Sequence, residues 1–268
     1  MEWSPILANY PRYLRSRIKQ GKGVGRGMDY KPWLKVRDVS SRGDSGMISG
    51  ILIPRTYHLL TSLQKIYFYQ IERLPSVVDI REQFPILEIN KTFELCSFHR
   101  VKHPYKGMNP APFTIDFVIT ERIGGELRHR AASIKAAAYA SDVEALQRLK
   151  VERDWCKAKK IPWSRVDTTK FSKEVHANLR FIRSWYRHRY SPSQAFDSLF
   201  ADQFLRFYTR NVPLRTLIEE TASELHIPAE RAVDAFRYNA WKDRIPVSLL
   251  AQLSMTNPLV LHDGSKRA

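Results

Sequence analysis

Two apolar stretches that flank a polar turn in the middle of the chain predict a β-hairpin. Residues 113–119 (FTIDFVI) and 131–138 (AASIKAAA) are nearly continuous apolar runs, a pattern typical of buried strands. Between them, Gly124-Gly125 is a two-residue signal for a hairpin turn. Each stretch carries one charged residue, Asp116 in the first and Lys135 in the second. Because an unpaired charge is costly among apolar neighbours, we expect the two side chains to be paired or to have a chemical role.

Helical and extended patterns surround this hairpin in an order that favours an α/β domain with a mixed sheet. The hydrophobic spacing separates helices from strands, since helical stripes repeat every three to four residues and strands alternate. In chain order these patterns predict a helix at 56–73, a strand at 76–87, an irregular stretch at 91–112, a helix at 142–160 capped by Ser141, and a short strand, WSRV, at 163–166.

Beyond residue 170 the pattern changes to short helices and predicts a second domain. We therefore expect one domain at 1–170 and a small all-α domain at 171–268 that begins with a basic helix at 173–190. Two later helices, 214–227 and 228–244, resemble a helix-turn-helix or winged helix. The second of these mixes acidic with basic residues, which favours docking to a protein partner over reading DNA.

The charge of the chain is concentrated in its first part. The chain of 268 residues carries a net charge of +17, yet residues 191–268 hold 9 Lys/Arg and 9 Asp/Glu. The whole excess therefore lies in residues 1–190, with 35 basic and 18 acidic side chains. A basic surface of this kind gains affinity for nucleic acid by releasing counterions from phosphates. An anionic membrane surface fits less well, because no basic amphipathic helix is placed as an anchor.

Residues 10–37 are dense in basic residues, aromatic residues and glycine. The alternation of Gly21, Gly23, Gly25 and Gly27 with other residues matches neither phosphate-loop pattern. We read the segment either as a flexible basic loop that follows a phosphate backbone, with Tyr30 and Trp33 available for packing or stacking, or as a plain solvated loop. Under the first reading the candidate DNA-binding residues are Lys19, Lys22, Arg26, Lys31 and Lys35.

The residue types on the hairpin suit metal-dependent hydrolysis of a phosphodiester. Side chains alternate along a strand, so Ser133 and Lys135 share a face, and normal pairing adds Asp116 to it. This arrangement resembles the core of the PD-(D/E)xK nucleases, in which carboxylates bind Mg²⁺ and the lysine stabilises negative charge. The alternative is that Asp116 and Lys135 form a structural ion pair.

Two further residues and one group of three are candidates for different roles. Gln64 is a polar residue within the apolar stripe of the first predicted helix, either a hydrogen-bonded core residue or the counterpart of a metal-binding Glu. Glu152 could accept a hydrogen bond from Lys135 or lie on the surface. The spacing of Cys96, His99 and His103 hints at zinc but supplies only three ligands.

Specific motifs in the first 165 residues are similar to those of the TnsA family, the endonuclease subunit of heteromeric bacterial transposition systems. The matching segments, in family order, are RIKQGKGVGRGMDYKPWL (17–34), HLLTSLQ (58–64), VVDIREQFP (77–85), KHP (102–104), TIDF (114–117), SIKAAA (133–138), ERDW (152–155) and KIPW (160–163).

The resemblance implies a restriction-endonuclease-like fold and a division of labour. Members of the family cut the 5′ strands at transposon ends in double-stranded DNA, while the transposase TnsB processes the 3′ ends and the AAA+ ATPase TnsC regulates the assembly. The family's catalytic Glu, Asp and Lys fall on Gln64, Asp116 and Lys135. The carbonyl of Ile134 would complete a site for one or two Mg²⁺ ions, which Mn²⁺ could replace. A bacterial cytoplasmic protein, at the nucleoid when assembled, is implied.

Two positions depart from the family pattern. Ser133 stands where relatives carry a longer polar side chain, and Gln64 replaces the Glu. Because an amide has no charge, Gln64 predicts impaired cleavage, either in an inactivated version of an active endonuclease or in a naturally impaired one. The alternatives are a catalytically silent factor that bridges transposon ends, transposase and ATPase, and a stand-alone nuclease.

Overall fold

The computed structural model describes residues 2–39, 44–136 and 142–262, and it divides the chain into two compact units, residues 1–169 and 170–268. Among the described residues, no helix is both long and apolar enough to cross a membrane. The helices and strands of the first unit are α1 (Arg12–Lys19), β1 (Gly46–Ser49), β2 (Thr56–Leu59), α2 (Ser62–Glu72), β3 (Val77–Pro85), α3 (Ile89–Phe98), β4 (Tyr105–Lys106), β5 (Asn109–Pro110), β6 (Thr114–Ile123), β7 (Glu126–Ile134), α4 (Val143–Ala158) and β8 (Trp163–Val166).

The centre of the first unit is a four-stranded mixed sheet in the order β3-β6-β7-β8. The β3–β6 and β6–β7 pairs are antiparallel, whereas β7 and β8 run parallel and are connected through α4. The predicted hairpin is confirmed, with Gly124 and Gly125 between Ile123 and its partner Glu126. Both glycines have positive φ, which a two-residue turn requires. The predicted mixed sheet is therefore present.

Helices cover both faces of this sheet, which explains why its strands read as continuous apolar runs. Neighbouring side chains on a strand point to opposite faces. On one face, the ring of Phe117 packs against Tyr67 of α2, with 5.5 Å between ring centroids. On the other, Val118 shares a buried cluster with Val151 and Trp155 of α4. The functional side chains described below lie where the carboxyl end of β7 meets the first turns of α2.

Two predictions around α2 and α3 are wrong in part. The helix predicted at 56–73 begins only at Ser62, because Thr56–Leu59 forms β2 and pairs with β1. Its apolar residues satisfy both periodicities, so spacing alone did not separate the strand from the helix. The stretch 91–112, predicted to be irregular, contains most of α3 and the small β4–β5 hairpin.

Three element boundaries also differ from the prediction. Strand β7 ends at Ile134, so Lys135 lies one residue beyond it, and residues 137–141 are outside the described ranges together with the proposed cap Ser141. Asp142 caps α4 instead, accepting the N–H of Ala145 at 3.0 Å. The helix predicted at 173–190 ends at Arg183 and continues as a short 3-10 turn.

The second unit is helical in its described part. It contains α5 (Lys173–Arg183), α6 (Gln194–Phe207), α7 (Leu214–Glu224) and α8 (Ala229–Trp241). The predicted pair of helices is present as α7 and α8. Up to residue 262, the extended segments of this unit make only two isolated bridges, which do not establish the wing of a winged helix.

Candidate active site

Asp116, on the inner strand β6, is the centre of a buried polar cluster next to the carboxyl end of β7. Its Oδ1 accepts a hydrogen bond from the side-chain amide of Gln64 at 2.8 Å, and its Oδ2 accepts the backbone N–H of Ile134 at 2.6 Å. Lys135 Nζ lies 3.8 Å from the same Oδ2. The structure therefore brings together the three residues that the sequence predicted as a set, from α2, from β6 and from the residue that follows β7.

The start of α2 determines how Gln64 is oriented. Thr61 caps this helix by accepting the N–H of Gln64 at 3.1 Å, so Gln64 is the third residue of the helix. Its Oε1 accepts the N–H of Leu60 at 2.7 Å, which resembles the capping-box role of a Glu or Gln at this position. With the oxygen engaged by a donor, the amide nitrogen faces Asp116. The reverse orientation would bring two oxygens together at Asp116.

The side chain of Lys135 is partly buried, with 39% of it exposed. The negative charge of Asp116 raises the pKa of Lys135, and Glu152 contributes in the same direction against the effect of burial. The ammonium group is therefore protonated at neutral pH, and can donate and stabilise negative charge but cannot act as a base. Thr168 fixes the backbone here by donating to the Lys135 carbonyl at 3.0 Å.

A cleft of about 220 Å³ opens beside Lys135. The beginning of α4 lines it together with the end of β8 and the residues that follow, Arg165 and Thr168 among them. The partly exposed side chain of Lys135 lines the same cleft.

Ser133 and Glu152 form a second hydrogen-bonded pair behind the lysine. Ser133 Oγ donates to Glu152 Oε2 at 2.5 Å and accepts from the Trp163 indole N–H at 3.2 Å. Glu152 is thus buried, which excludes the surface position that the sequence left open. Its described hydrogen bond goes to Ser133, while Lys135 acts on it through charge. Neither residue touches Asp116 through a described hydrogen bond.

The burial of Glu152 predicts a dependence of stability on pH. Burial raises the pKa of Glu152 from 4.5 to about 7, although Lys135 opposes the shift. The folded state holds the Glu152 proton more tightly than the unfolded state does. The stability that this proton contributes is therefore complete below the pKa of Glu152 in the unfolded state, and it is lost as the pH rises through the pKa in the folded state. We expect the free energy of unfolding to fall by up to about 3 kcal/mol on this account between pH 4.5 and 7.

Glu152→Gln is expected to remove that part of the pH dependence, because an amide keeps a hydrogen bond with Ser133 but does not titrate. Denaturant unfolding of the two proteins at several pH values measures the difference. A constant difference in free energy from pH 4.5 to 8 would contradict the assignment of this proton to Glu152.

The donor set as it stands does not fit a Mg²⁺ ion, which prefers carboxylate and carbonyl oxygens. Within residues 2–39, 44–136 and 142–262, no group of three or more His, Cys, Asp and Glu side chains could hold a metal. Asp116 contributes one carboxylate, Gln64 presents its amide N–H where an oxygen would be needed, and the contact described for Ile134 is through its N–H. The sequence-based expectation that Gln64 weakens a metal site is consistent with this geometry.

Gln83 is a member of the cluster that sequence reasoning missed. Its side-chain amide lies 3.4 Å from Asp116 Oδ1, and its backbone has a φ of +48°, unusual for a residue other than glycine. The Gln83 carbonyl also accepts the N–H of Trp33 at 3.2 Å. Backbone strain of this kind is found at sites where geometry is constrained. The motif DIREQFP contains this residue, but its spacing gave no sign of the positive φ.

A buried ion pair links the segment that precedes α2 to β3, next to the site. Arg55 donates to both carboxylate oxygens of Glu82, at 3.0 and 2.5 Å, and to the Ile80 carbonyl at 2.8 Å. Glu82 also accepts the N–H of His58 at 3.1 Å. Arg55 stacks on the Tyr57 ring, 3.7 Å from its centroid. These bonds tie β2, which leads directly into α2, to β3.

The predicted DNA-binding residues separate into two that belong to a cluster and three that lie outside it. Asp38 lies 3.8 Å from Lys22 Nζ and accepts the backbone N–H of Lys35 at 3.1 Å. Burial, followed by the charge of Arg17, lowers the pKa of Lys22. The basic side chains at or near the Lys22–Asp38 pair are hereafter called the basic cluster: Arg17, Lys22, Lys35, Arg37 and Lys106.

The remaining candidates lie outside the basic cluster. Lys31 is bridged to Lys22 through the backbone, and its ammonium group donates to the Gln20 carbonyl. Lys19 is exposed on α1, while Arg26 pairs with Glu2 at 3.5 Å. Tyr30 and Trp33 are buried in the core, so their predicted availability for stacking on DNA is wrong, whereas their packing role is confirmed.

The Cys-His-His spacing corresponds to three separate contacts in the structure. Cys96 is buried in the core, His99 pairs with Asp154 at 2.7 Å, and His103 Nε2 lies 2.8 Å from Thr92 Oγ1. The three side chains therefore have structural partners of their own.

The β6–β7 hairpin, α4 and β8 lie within a stretch of the chain that matches a class of nuclease domain. Residues 74–168 match the family described as TnsA-like endonuclease N terminal. The chain is also 36% identical, over 169 residues, to the transposon Tn7 transposition protein TnsA of Escherichia coli. The aligned part is 63% of this chain and 61% of that protein, so the alignment covers less than two thirds of the relative's length. Residues 74–168 are therefore similar to TnsA-like endonuclease domains, and the chain is similar to TnsA over the aligned part.

Proposed function

We propose that this chain is the endonuclease-type subunit of a DNA-transposition system, and that its site is the one that cuts the 5′ strands at transposon ends. The observation that carries the proposal is the contact between residue 64, Asp116 and Lys135 next to the carboxyl end of β7. The match of residues 74–168 to TnsA-like endonuclease domains and the similarity to a transposition protein support the same conclusion.

The direct contact between residue 64 and Asp116 is what two residues that hold one metal ion would need. Gln64 Nε2 and Asp116 Oδ1 are 2.8 Å apart. A carboxylate at position 64 would thus place an oxygen where it could share a cation with Asp116.

A bound metal ion would lower the pKa of an attacking water and stabilise charge on the phosphate. Asp116 would hold the ion together with a carboxylate at position 64, and the Ile134 carbonyl is a further proposed ligand. Lys135, protonated and accessible through its cleft, would stabilise negative charge at the phosphate. Ser133 and Glu152 would hold the lysine in place. With Gln64 present, we propose that cleavage by this chain is impaired.

Strand-resolved cleavage tests this function. The chain and a Gln64→Glu variant are each combined with a TnsB-type transposase, a TnsC-type ATPase, transposon-end DNA and Mg²⁺ or Mn²⁺. We expect 5′-strand cuts only with the variant, and their loss when Lys135→Ala is added. Efficient 5′ cutting by the unaltered chain would contradict the role given to Gln64. Intact 3′ processing without 5′ cuts by either protein would favour a silent assembly factor, and cutting without partners a stand-alone nuclease.

The basic cluster is proposed to hold the DNA backbone next to this site. Lys35 follows Trp33, whose N–H bonds to Gln83 beside Asp116, so a duplex on the cluster would lie close to the catalytic residues. Each phosphate contact contributes about −0.9 to the slope of log K against log salt. Replacing both Lys22 and Lys35 by Ala should therefore reduce the slope by about 2, measured by fluorescence anisotropy. Lys170→Ala, outside the cluster, is the control. An unchanged slope for the double variant would contradict this interface.

A further inference from the structure

The β4–β5 hairpin presents an apolar side chain at its tip. Met108 is 95% exposed. It follows Gly107, whose φ of +61° and open surroundings fit the first position of a two-residue hairpin loop. The pairs Tyr105 with Pro110 and Lys106 with Asn109 flank this loop. The turn therefore directs an unbranched, adaptable apolar side chain away from the body of the unit.

The base of the hairpin is fixed while its tip is free. The Ala111 N–H donates to the Pro104 carbonyl at 2.8 Å. His103 stacks on Phe93 with 4.0 Å between ring centroids and bonds to the buried Thr92. A hairpin held in this way can insert its tip into a ligand without first losing much conformational freedom.

The charges beside the hairpin indicate what that ligand is. Lys106 belongs to the basic cluster through its interaction with Asp38, and with Asn109 it lines a small recess that Arg17 and Trp33 also line. Met108 thus stands beside a concentration of positive charge. A polyanion complements this surface better than an apolar protein face does.

We propose that the β4–β5 hairpin is a DNA wedge: Lys106 contacts a phosphate and Met108 enters between base pairs from the minor groove. Apolar side chains, Met among them, are used in this way to unstack and kink a duplex. The inference rests on the proposed function, since its ligand is double-stranded DNA. Beyond that function, the wedge would distort the duplex locally, beside the site proposed to cut one strand.

The wedge is tested with the full chain and a set of 30-base-pair duplexes, each with one 2-aminopurine at a different position. We expect the chain to raise 2-aminopurine fluorescence at one or two neighbouring steps. Met108→Ala should abolish that rise and weaken binding about tenfold, with the salt slope unchanged because no charge is removed. Met108→Leu should retain most of the rise. Lys106→Ala should reduce the salt slope by about 1.

Met28→Ala is the matched control, because Met28 is also exposed (66%) but lies outside the hairpin; it should change neither readout. Salt-dependent binding with no effect of Met108→Ala would overturn the wedge and leave the basic cluster in place. A chain that binds no duplex at low salt would overturn both. Loss of assembly with the transposase, with DNA binding and fluorescence unchanged, would assign Met108 to a protein interface instead.

Discussion

Gln64→Glu should destabilise the metal-free protein by about 3 kcal/mol at pH 8, and Mn²⁺ or Mg²⁺ should reverse the loss. The substitution removes the amide donor that Asp116 accepts at 2.8 Å and places a second negative charge against it. A divalent cation would convert this repulsion into shared ligation. The destabilisation should shrink at pH 5, where a protonated carboxyl can again donate to Asp116.

Thermal unfolding with and without millimolar Mn²⁺ measures the effect. We expect the metal to raise the Tm of the variant by roughly 5–10 °C and to leave the unaltered chain nearly unchanged. Gln64→Leu is the control, since it also removes the hydrogen bond but offers no ligand. Two results would contradict the proposed relation between residue 64 and Asp116: a Gln64→Glu variant as stable as the unaltered chain without metal, or one whose Tm does not change with Mn²⁺.

Glu82→Gln should lower the free energy of unfolding by about 3–5 kcal/mol. Glu82 is fully buried and receives a bidentate hydrogen bond from Arg55. The substitution leaves the guanidinium without its counter-charge in a site closed off by Tyr57. Removing one partner of a buried pair costs more than the pair contributes, because the remaining charge stays desolvated.

Denaturant unfolding of Glu82→Gln, with Glu126→Gln as the control, measures this cost. Glu126 pairs with Arg128 at 3.2 Å on the surface, where an ion pair contributes at most about 1 kcal/mol. Adding Arg55→Met to Glu82→Gln should recover part of the loss, because it removes the stranded charge. Equal effects of the buried and exposed substitutions would contradict the structural role of the Arg55–Glu82 pair.

The site residues that could be predicted from the sequence are those marked by a pattern among their near neighbours in the chain. Asp116 and Lys135 stood out because each is a charge in an apolar strand, and Gly124-Gly125 set the turn that brings the strands together. The position of Gln64 was predicted from the family motifs, and the structure adds that Thr61 and Leu60 fix its rotation. Residue spacing reports which face a side chain occupies, but not which of its atoms faces a partner.

The parts that were missed depend on contacts between distant segments. The partner of Glu82 is 27 residues away in sequence, and nothing in the letters of DIREQFP indicates Arg55. The positive φ of Gln83 is likewise imposed by its surroundings rather than by its own preference. Tyr30 and Trp33 looked available for DNA because their neighbours are basic, yet burying aromatic area outweighs that context.

We propose that Asp116 and residue 64 are the two side-chain ligands of a metal site that the amide of Gln64 leaves incomplete. Crystals of the Gln64→Glu variant soaked in Mn²⁺ and measured at the manganese absorption edge test it most directly. We predict an anomalous peak in contact with both the introduced carboxylate and Asp116, and no peak there in crystals of the unaltered chain. Manganese bound elsewhere, with none between these two side chains, would contradict the account.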